Sequence, residues 1–405
     1  MTTNQNILCL SSQDWDDLWT RKQRWMQRFA RQGNRVLYVE AQASMVSVET
    51  LREDWRRVVR WLAGPRLVEE NLYVATLPLV LPCFRMSMEI NRLNNLVLRP
   101  LLRHWIRVLG FARPILWTYN PHSESLIGKL GERFAVYECV DELSAGKGLV
   151  RREVVRQLER RLIEKVALVV VTHENLYRSK RTGARAIHVI PNGVDVEHFR
   201  KASLGETPVA PEMQKVSPPI VGFLGSIQYW IDLDLLRFLA LARPHWSFVL
   251  VGPKGRLARV EKIANLPNVY MLGRRRYEDL PSYVKAFDVC LNPYIVDETA
   301  LHCSPLKLYE YLASGKPVVS VDMPEATKFN GIVSIGRDYP EILRLLDEAV
   351  KPRAGDQALV AARIRAVEEH SWDHRFRQLE AVFDDCIASV NPAESAGKPS
   401  TRGEN

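Results

Sequence analysis

Lys307 and Glu310 are the residues of this sequence best placed, by type and spacing, to do chemistry. Three residues apart on a helix, they share one side of it. An ammonium beside a helix start can meet phosphate oxygens, and a carboxylate one turn later can accept from two adjacent ribose hydroxyls. That is the chemistry of gripping a nucleoside diphosphate. The same spacing also gives an ordinary surface ion pair, worth about 0.2–0.5 kcal/mol. Taken alone, the two readings are evenly matched.

The stretch that carries them, SPLKLYEYLASGKPVVSV at 304–321, reads as helix, stop, strand. Ser304 is the expected cap and Pro305 the expected first helical residue, where a missing N–H is no loss. Leu306, Tyr309 and Ala313 fall on one face, with Leu308 and Leu312 beside them. Gly315 and Pro317 end the helix, and 318–321 begins a buried strand. The helix start adds unpaired N–H groups and the positive end of a dipole to the Lys307 charge.

At 405 residues, with 46% hydrophobic content, the chain predicts two globular domains rather than one core. Its net charge of +9 favours anionic partners such as nucleotide-sugars and acidic membrane surfaces. Nucleic acid is not expected, because charge comes without a recognisable binding motif. The six cysteines, Cys9, Cys83, Cys139, Cys290, Cys303 and Cys386, form no CxxC or Cys/His pattern and read as reduced thiols of a cytoplasmic protein. No stretch approaches the roughly 18–20 apolar residues of a membrane span. The opening MTTNQNILCL lacks a basic region and a cleavage site, so no signal peptide is expected.

Along the first half, strand 6–10, a polar loop with Asp14, Trp15 and Asp16, a helix to about 31 and strand 36–39 predict a parallel βαβ unit. Its first loop is where a doubly wound domain places a ligand, and the absence of GxGxxG argues against a dinucleotide. Residues 51–113 are basic and aromatic. Arg85, Arg92, Arg99, Arg103 and Arg107 make one basic stripe on a helix that Pro100 is expected to kink or split. With Trp55, Trp61 and Trp105 nearby, the stripe predicts an interfacial face for anionic lipid headgroups, against the plainer reading of a solvated basic side. Strands at 114–119, 135–140 and 167–172 deliver His122, Asp141 and His173 at their C-terminal ends, which face the cleft of an open parallel sheet. A strand-end His or Asp more often bonds its own loop than catalyses.

The second half repeats the α/β pattern from 220 onward, after a Pro-, Ser- and Glu-rich stretch, 201–219, that reads as a linker. Gly225 and Ser226 follow its first strand, Arg274 and Tyr277 follow a strand at 268–273, and a loop with His302 precedes the helix of Lys307. Residues 372–390 read as a terminal amphipathic helix and 391–405 as a disordered tail.

Three stretches, IPNGVD at 190–195, the strand at 268–273 running on to YEDLP, and 305–319, occur in order, and the last is similar to P-x-K-x-x-E-Y-x-A-x-G-K-P-V-V. In these the sequence resembles retaining glycosyltransferases of the GT-B fold, family 4 (group 1), of the polysaccharide and teichuronic-acid type. The resemblance implies an α/β protein of two Rossmann-like domains facing a central cleft: an acceptor-binding domain at 1–200, a nucleotide-sugar domain at 220–371, and helix 372–390 packing back on the first.

By the same resemblance, Lys307 contacts the diphosphate and Glu310 the ribose, with Ser304, Pro305, Leu306, Gly225, Ser226, Arg274 and Tyr277 around the donor. His302, His122 and Asp141 are further catalytic candidates, and Asp14, Trp15 and Asp16 candidates for the acceptor. His302 stands where the family has its first glutamate, and 225–230 carries no cation where many members have two.

The D-x-D triplets at 14–16 and 232–234 are read as loop and helix-cap residues, since this fold needs no metal; no cofactor is expected. The function expected is hexose transfer from a nucleoside diphosphate sugar to a lipid-linked or growing surface glycan, at the inner face of the membrane. A nucleotide-sugar epimerase of the same fold and an inactive glycan- or lipid-binding scaffold are the alternatives.

Overall fold

The computed structural model describes residues 3–44, 51–146, 148–255, 257–351 and 356–390. Its contacts divide into two compact units, Met1–Pro191 with Phe376–Asn405, and Asn192–Arg375. The sequence-predicted tail, 391–405, lies outside the described residues.

In the first unit, short apolar strands alternate with helices. They are β1 (Asn6–Leu10), α1 (Arg21–Arg31), β2 (Arg35–Val39), α2 (Leu51–Ala63), β3 (Arg66–Glu69), β4 (Leu72–Ala75), α3 (Met88–Val108), β5 (Ile115–Thr118), β6 (Ala135–Cys139), α4 (Arg152–Lys165), β7 (Leu168–Val171), α5 (Glu174–Lys180) and β8 (Ile187–Val189). Eight strands form one sheet in the order β3-β4-β2-β1-β5-β6-β7-β8. Every pair is parallel except β3 with β4, and Leu8 stands opposite both Leu37 and Leu116. Such strands are buried on both faces, which is why they read as unbroken apolar runs.

Local signals set the elements. Thr20 and Gln23 cap α1 reciprocally, and Gly33, at φ +85°, turns the chain out of it. The β3–β4 pair lies in the segment read only as basic and aromatic; its strands are four residues each, and β3 carries arginine and glutamate at the sheet edge. Pro100 does not split its helix: α3 runs unbroken over 21 residues. Residue 100 is exposed, so the carbonyl that loses its N–H partner there is within reach of water.

A buried carboxylate ties this unit together. Glu138, fully inaccessible on β6, accepts from Arg21 Nε at 2.5 Å, Trp25 Nε1 at 3.1 Å and Trp117 Nε1 at 2.9 Å. Arg21 also donates to the Ile190 carbonyl at 2.8 Å. A buried charge is tolerable only when paired and hydrogen-bonded in this way.

The second unit holds α6 (Val196–Arg200), β9 (Ile220–Leu224), α7 (Leu233–Ala242), β10 (Ser247–Val251), β11 (Val269–Gly273), α8 (Leu280–Lys285), β12 (Val289–Asn292), α9 (Leu306–Ala313), β13 (Val318–Val321), α10 (Pro324–Thr327), β14 (Ser334–Gly336), α11 (Tyr339–Ala349) and α12 (Asp356–Arg365). Its six-stranded parallel sheet runs β11-β10-β9-β12-β13-β14. The stretch 201–219 is not a free linker, and the division falls earlier, after Pro191. Two short 3-10 turns, Lys201–Ser203 and Pro211–Lys215, set Ala202, Ala210, Met213 and Val216 into the core of the second unit.

The final helix, α13 (Trp372–Val390), starts in the second unit and runs on in the first. Trp372 donates its N–H to the Val194 carbonyl at 3.1 Å. Phe376 packs on Phe29, with ring centroids 4.9 Å apart, and Phe383 on Phe29 and Trp117, at 5.4 and 5.7 Å. Among the described residues, no helix is long and apolar enough to cross a membrane.

Candidate functional site

Helix α9 carries the two residues that opened the sequence reading. Lys307 Nζ lies 3.1 Å from Glu310 Oε2, with Lys307 partly open to solvent and the Glu310 residue 8% exposed. The helix is anchored by its other side: Leu308, Tyr309, Tyr311, Leu312 and Ala313 are fully buried. The Tyr311 hydroxyl accepts from the Leu224 N–H at 2.7 Å, fixing α9 against the C-terminal end of β9.

The helix begins one residue later than its sequence suggested. Pro305 is the N-cap, with ψ 118°, and Leu306 is the first helical residue. Ser304 makes no cap. Its hydroxyl lies 3.4 Å from the Tyr309 hydroxyl, and its carbonyl accepts from Asn192 Nδ2 at 2.6 Å. A proline at the N-cap supplies no oxygen, so the first-turn N–H groups keep no side-chain partner within the helix.

Glycines let the strand ends come close. Gly225, at φ +146°, follows β9, and a Cβ built there would fall 2.6 Å from Lys307 Cε. The lysine stem therefore lies across the bare backbone of Gly225. Gly252, at φ +151°, follows β10, and its Cβ would stand 1.9 Å from the Gly225 carbonyl oxygen. The Gly225 N–H donates to Val251 O at 2.8 Å and the Gly252 N–H to Gly273 O at 2.9 Å. Ser226 accepts from Gln228 Nε2 at 2.8 Å, which holds the loop beside them.

Tyr277 was expected near the donor, but its partner His198 was not legible in the sequence. His198, on α6, stacks on Tyr277 with ring centroids 4.4 Å apart and planes 12° off parallel. Its Nε2 is 2.9 Å from the Tyr277 carbonyl oxygen, and Asp195 Oδ1 accepts from the His198 N–H at 3.2 Å. Burial lowers the imidazole pKa, while the Tyr277 carbonyl and the charges of Asp195 and Glu310 partly offset it. The ring is therefore neutral near pH 7. Its ring ties α6 to the chain after β11, and α6 packs against α9. The only sequence signal was Asp195, a cap three residues before His198.

Arg274 is exposed after β11. His302 Nδ1 is 2.7 Å from the Glu298 carbonyl of its own loop, and among the described residues no hydrogen bond or ion pair joins it to Lys307 or Glu310. In the first unit, His122 is buried against Phe84, with ring centroids 5.0 Å apart. Burial and the Arg85 charge push its pKa down to about 3, so it is neutral and no acid catalyst near pH 7. Asp141 follows β6; the residue keeps exposure, but crowding around its carboxyl raises the pKa against the pull of Lys22 and Arg21. His173 accepts from the Asn175 N–H at 3.1 Å as the cap of α5.

The loop after β1 is held rather than open. Asp14 pairs with Arg57 at 3.2 Å and with Arg60 at 3.6 Å, and Asp16 with Arg66 at 2.8 Å. Trp15 is 6% exposed between Trp19 and Tyr38. Asp232 caps α7, accepting from the Leu235 N–H at 2.9 Å, and Asp234 pairs with Lys262 at 2.6 Å. Among the described residues no three His, Cys, Asp or Glu side chains converge on a metal position.

A cavity of about 1240 Å³ lies at the opposite, N-terminal end of the second sheet, beside Pro317, Val318 and Ser334. Three of its cations serve backbone carbonyls: Lys285 Nζ to Leu204 O at 2.6 Å, Lys316 Nζ to Lys285 O at 2.7 Å, and Arg363 Nη1 to Gly315 O at 3.0 Å. They complete chain and helix ends and are no part of the α9 site.

Comparison with known proteins bears on the family resemblance and the fold. Residues 218–350 match the family model described as glycosyl transferases group 1. The chain is 27% identical over 283 residues to a Bacillus subtilis (strain 168) protein named as a teichuronic acid biosynthesis glycosyltransferase, TuaH, covering 66% of this chain and 71% of that one. In structure it is similar to a sucrose-phosphate synthase from Thermosynechococcus elongatus, with TM-score 0.70, 15% identity, and 95% and 100% of the two chains covered. It is also similar to the E. coli trehalose-6-phosphate protein solved with UDP-2-fluoro glucose, at TM-score 0.64, 14% identity, and 94% and 98% coverage. These likenesses show the fold that the sequence predicted, GT-B.

Proposed function

We propose that this chain, which has a GT-B fold and matches the group 1 glycosyl transferase model at 218–350, moves a hexose from a nucleoside diphosphate sugar to a lipid-linked or growing surface polysaccharide, with the anomeric configuration retained. The similarity to a protein named for teichuronic acid biosynthesis supports a surface-glycan acceptor. Such an acceptor would place the enzyme on the cytoplasmic side of an anionic membrane, in peripheral contact with it.

The observation that carries the donor site is the Lys307–Glu310 pair, held by α9 across the bare backbone of Gly225. Cleavage of the anomeric C–O bond leaves new negative charge on the departing diphosphate. A cation and oriented N–H groups already in place stabilise that charge without reorganising. Lys307 and the first turn of α9 supply them in this reading. Glu310, one turn deeper, takes the ribose hydroxyls, and the neighbouring wall of His198 and Tyr277 faces the nucleoside.

Calorimetric titration with UDP, GDP and ADP tests the donor site. One nucleotide should bind in the micromolar range, and Glu310→Ala should weaken it. NMR of the product anomer tests retention. Donor turnover without any acceptor would favour the epimerase reading instead.

A further inference from the structure

Helix α3 is turned inside out over part of its length. Between 91 and 97 the polar residues face inward: Asn91, Asn94 and Asn95 are buried. The large apolar residues face outward, Leu93 at 49%, Leu96 at 59% and Val97 at 62% exposure. This register is fixed by hydrogen bonds. Asn94 Oδ1 accepts from the Leu81 N–H and its Nδ2 donates to the Leu81 carbonyl, both at 3.0 Å, and Asn95 Nδ2 donates to His122 O at 2.7 Å. Further along the helix the usual pattern returns, with Leu98, Leu102, Trp105 and Ile106 in the core. A water-facing helix gains nothing by showing three large aliphatic side chains together.

The charges around this patch are of one sign. α3 contains Arg92, Arg99, Arg103 and Arg107 but a single acid, Glu89 in its first turn. Arg92 is exposed beside the patch, and Arg103 and Arg107 are exposed beyond it. A solvated helix ordinarily alternates its charges into i,i+4 pairs. Basic side chains flanking an apolar patch instead complement a surface with phosphates above hydrocarbon. Helix α2, whose Trp61 packs on the same core cluster as Leu98 and Leu102, exposes a second apolar stripe at Trp55, Val59 and Leu62.

We propose that the outward face of α3 is a docking surface for an anionic phospholipid bilayer, with Leu93, Leu96 and Val97 entering beneath the headgroups and Arg92, Arg103 and Arg107 holding their phosphates. This deepens, and rests on, the reading of a lipid-linked acceptor. Guanidinium groups suit phosphate oxygens because they meet them in a two-pronged fork. A neutral bilayer offers the apolar phase without the attraction, so both features are needed for firm attachment.

The test is co-flotation of the full chain with vesicles of phosphatidylcholine alone, and with vesicles carrying about three parts in ten phosphatidylglycerol. The protein should float with the anionic vesicles only, and salt should release it. Arg103→Gln with Arg107→Gln should lower the partition coefficient about thirtyfold, from roughly fivefold per charge. Leu93→Ser with Leu96→Ser and Val97→Ser should lower it by a similar factor. Both variants should keep the parent Tm and the parent nucleotide affinity. Equal flotation with neutral and anionic vesicles overturns the proposal, as does undiminished flotation of both variants. So does a change from dimer to monomer in the apolar variant with vesicle binding intact, which would make the face a contact between copies. If flotation fails while nucleotide still binds at α9, the docking surface falls and the transferase reading stands; loss of nucleotide binding in the parent protein has the reverse meaning.

Discussion

Lys307 Nζ sits 3.1 Å from Glu310 Oε2, so the cation and the carboxylate assigned to one donor neutralise each other across a single helical turn. A bound donor must replace that contact with two others, diphosphate for the lysine and ribose for the glutamate. The two residues are therefore coupled, and their substitutions should not simply add.

Lys307→Ala removes the only full charge that α9 brings to the diphosphate. We expect kcat to fall about 100-fold to 1000-fold, as when one preorganised donor is lost from a developing anion. Steady-state kinetics with saturating donor would check this. A fall of less than threefold would mean that another group carries the charge.

Glu310→Gln keeps the shape and removes the charge. Donor Kd should rise about tenfold to a hundredfold, the scale of hydrogen bonds to a charged acceptor, while inorganic pyrophosphate should bind more tightly to the released lysine. Calorimetry with both ligands separates the two effects. Unchanged affinity for the nucleotide would place the ribose elsewhere.

Gly225→Ala should be costly for two reasons. Its φ of +146° disfavours any side chain, and the added Cβ would lie 2.6 Å from Lys307 Cε. Activity should drop about tenfold or more with stability reduced by roughly 1–3 kcal/mol, measured by urea unfolding beside turnover. Wild-type activity would show that Lys307 has room to move aside.

The pH dependence of stability follows from His122, whose pKa is about 3 in the fold against an ordinary value near 6.5. A base with a lowered pKa takes up its proton more readily when unfolded. Stability is therefore full above the unfolded value and is lost as pH falls toward the folded one. Between pH 6.5 and 4 the loss should be on the order of 3 kcal/mol. His122→Gln should flatten the Tm profile in that window; an unchanged profile would mean that the ring is not buried neutral.

Much of this was legible because it is local. The strands of both sheets are apolar runs, and α9 announced its charged face by a spacing of three. What failed was decided at longer range. His198 meets Tyr277 across 79 residues, a pairing no periodicity encodes. Ser304 had the chemistry of a cap, but Pro305 took that position with an extended ψ and turned the serine toward Tyr309. The stretch 201–219 hides four core residues among prolines, serines and charges, so its composition read as a linker. Buried asparagines on α3 inverted a face that hydrophobicity alone assigns the other way.

The aromatic seat that Phe376 and Phe383 fill on Phe29 and Trp117 has a bearing on synthesis. The strands of the first sheet are translated well before the two rings that complete their hydrophobic interior, because the whole unit 192–375 lies between them in the chain. During elongation Phe29 and Trp117 stand uncovered while residues 192–375 are made, so the first unit stays half-finished and prone to stick until Phe376 and Phe383 emerge.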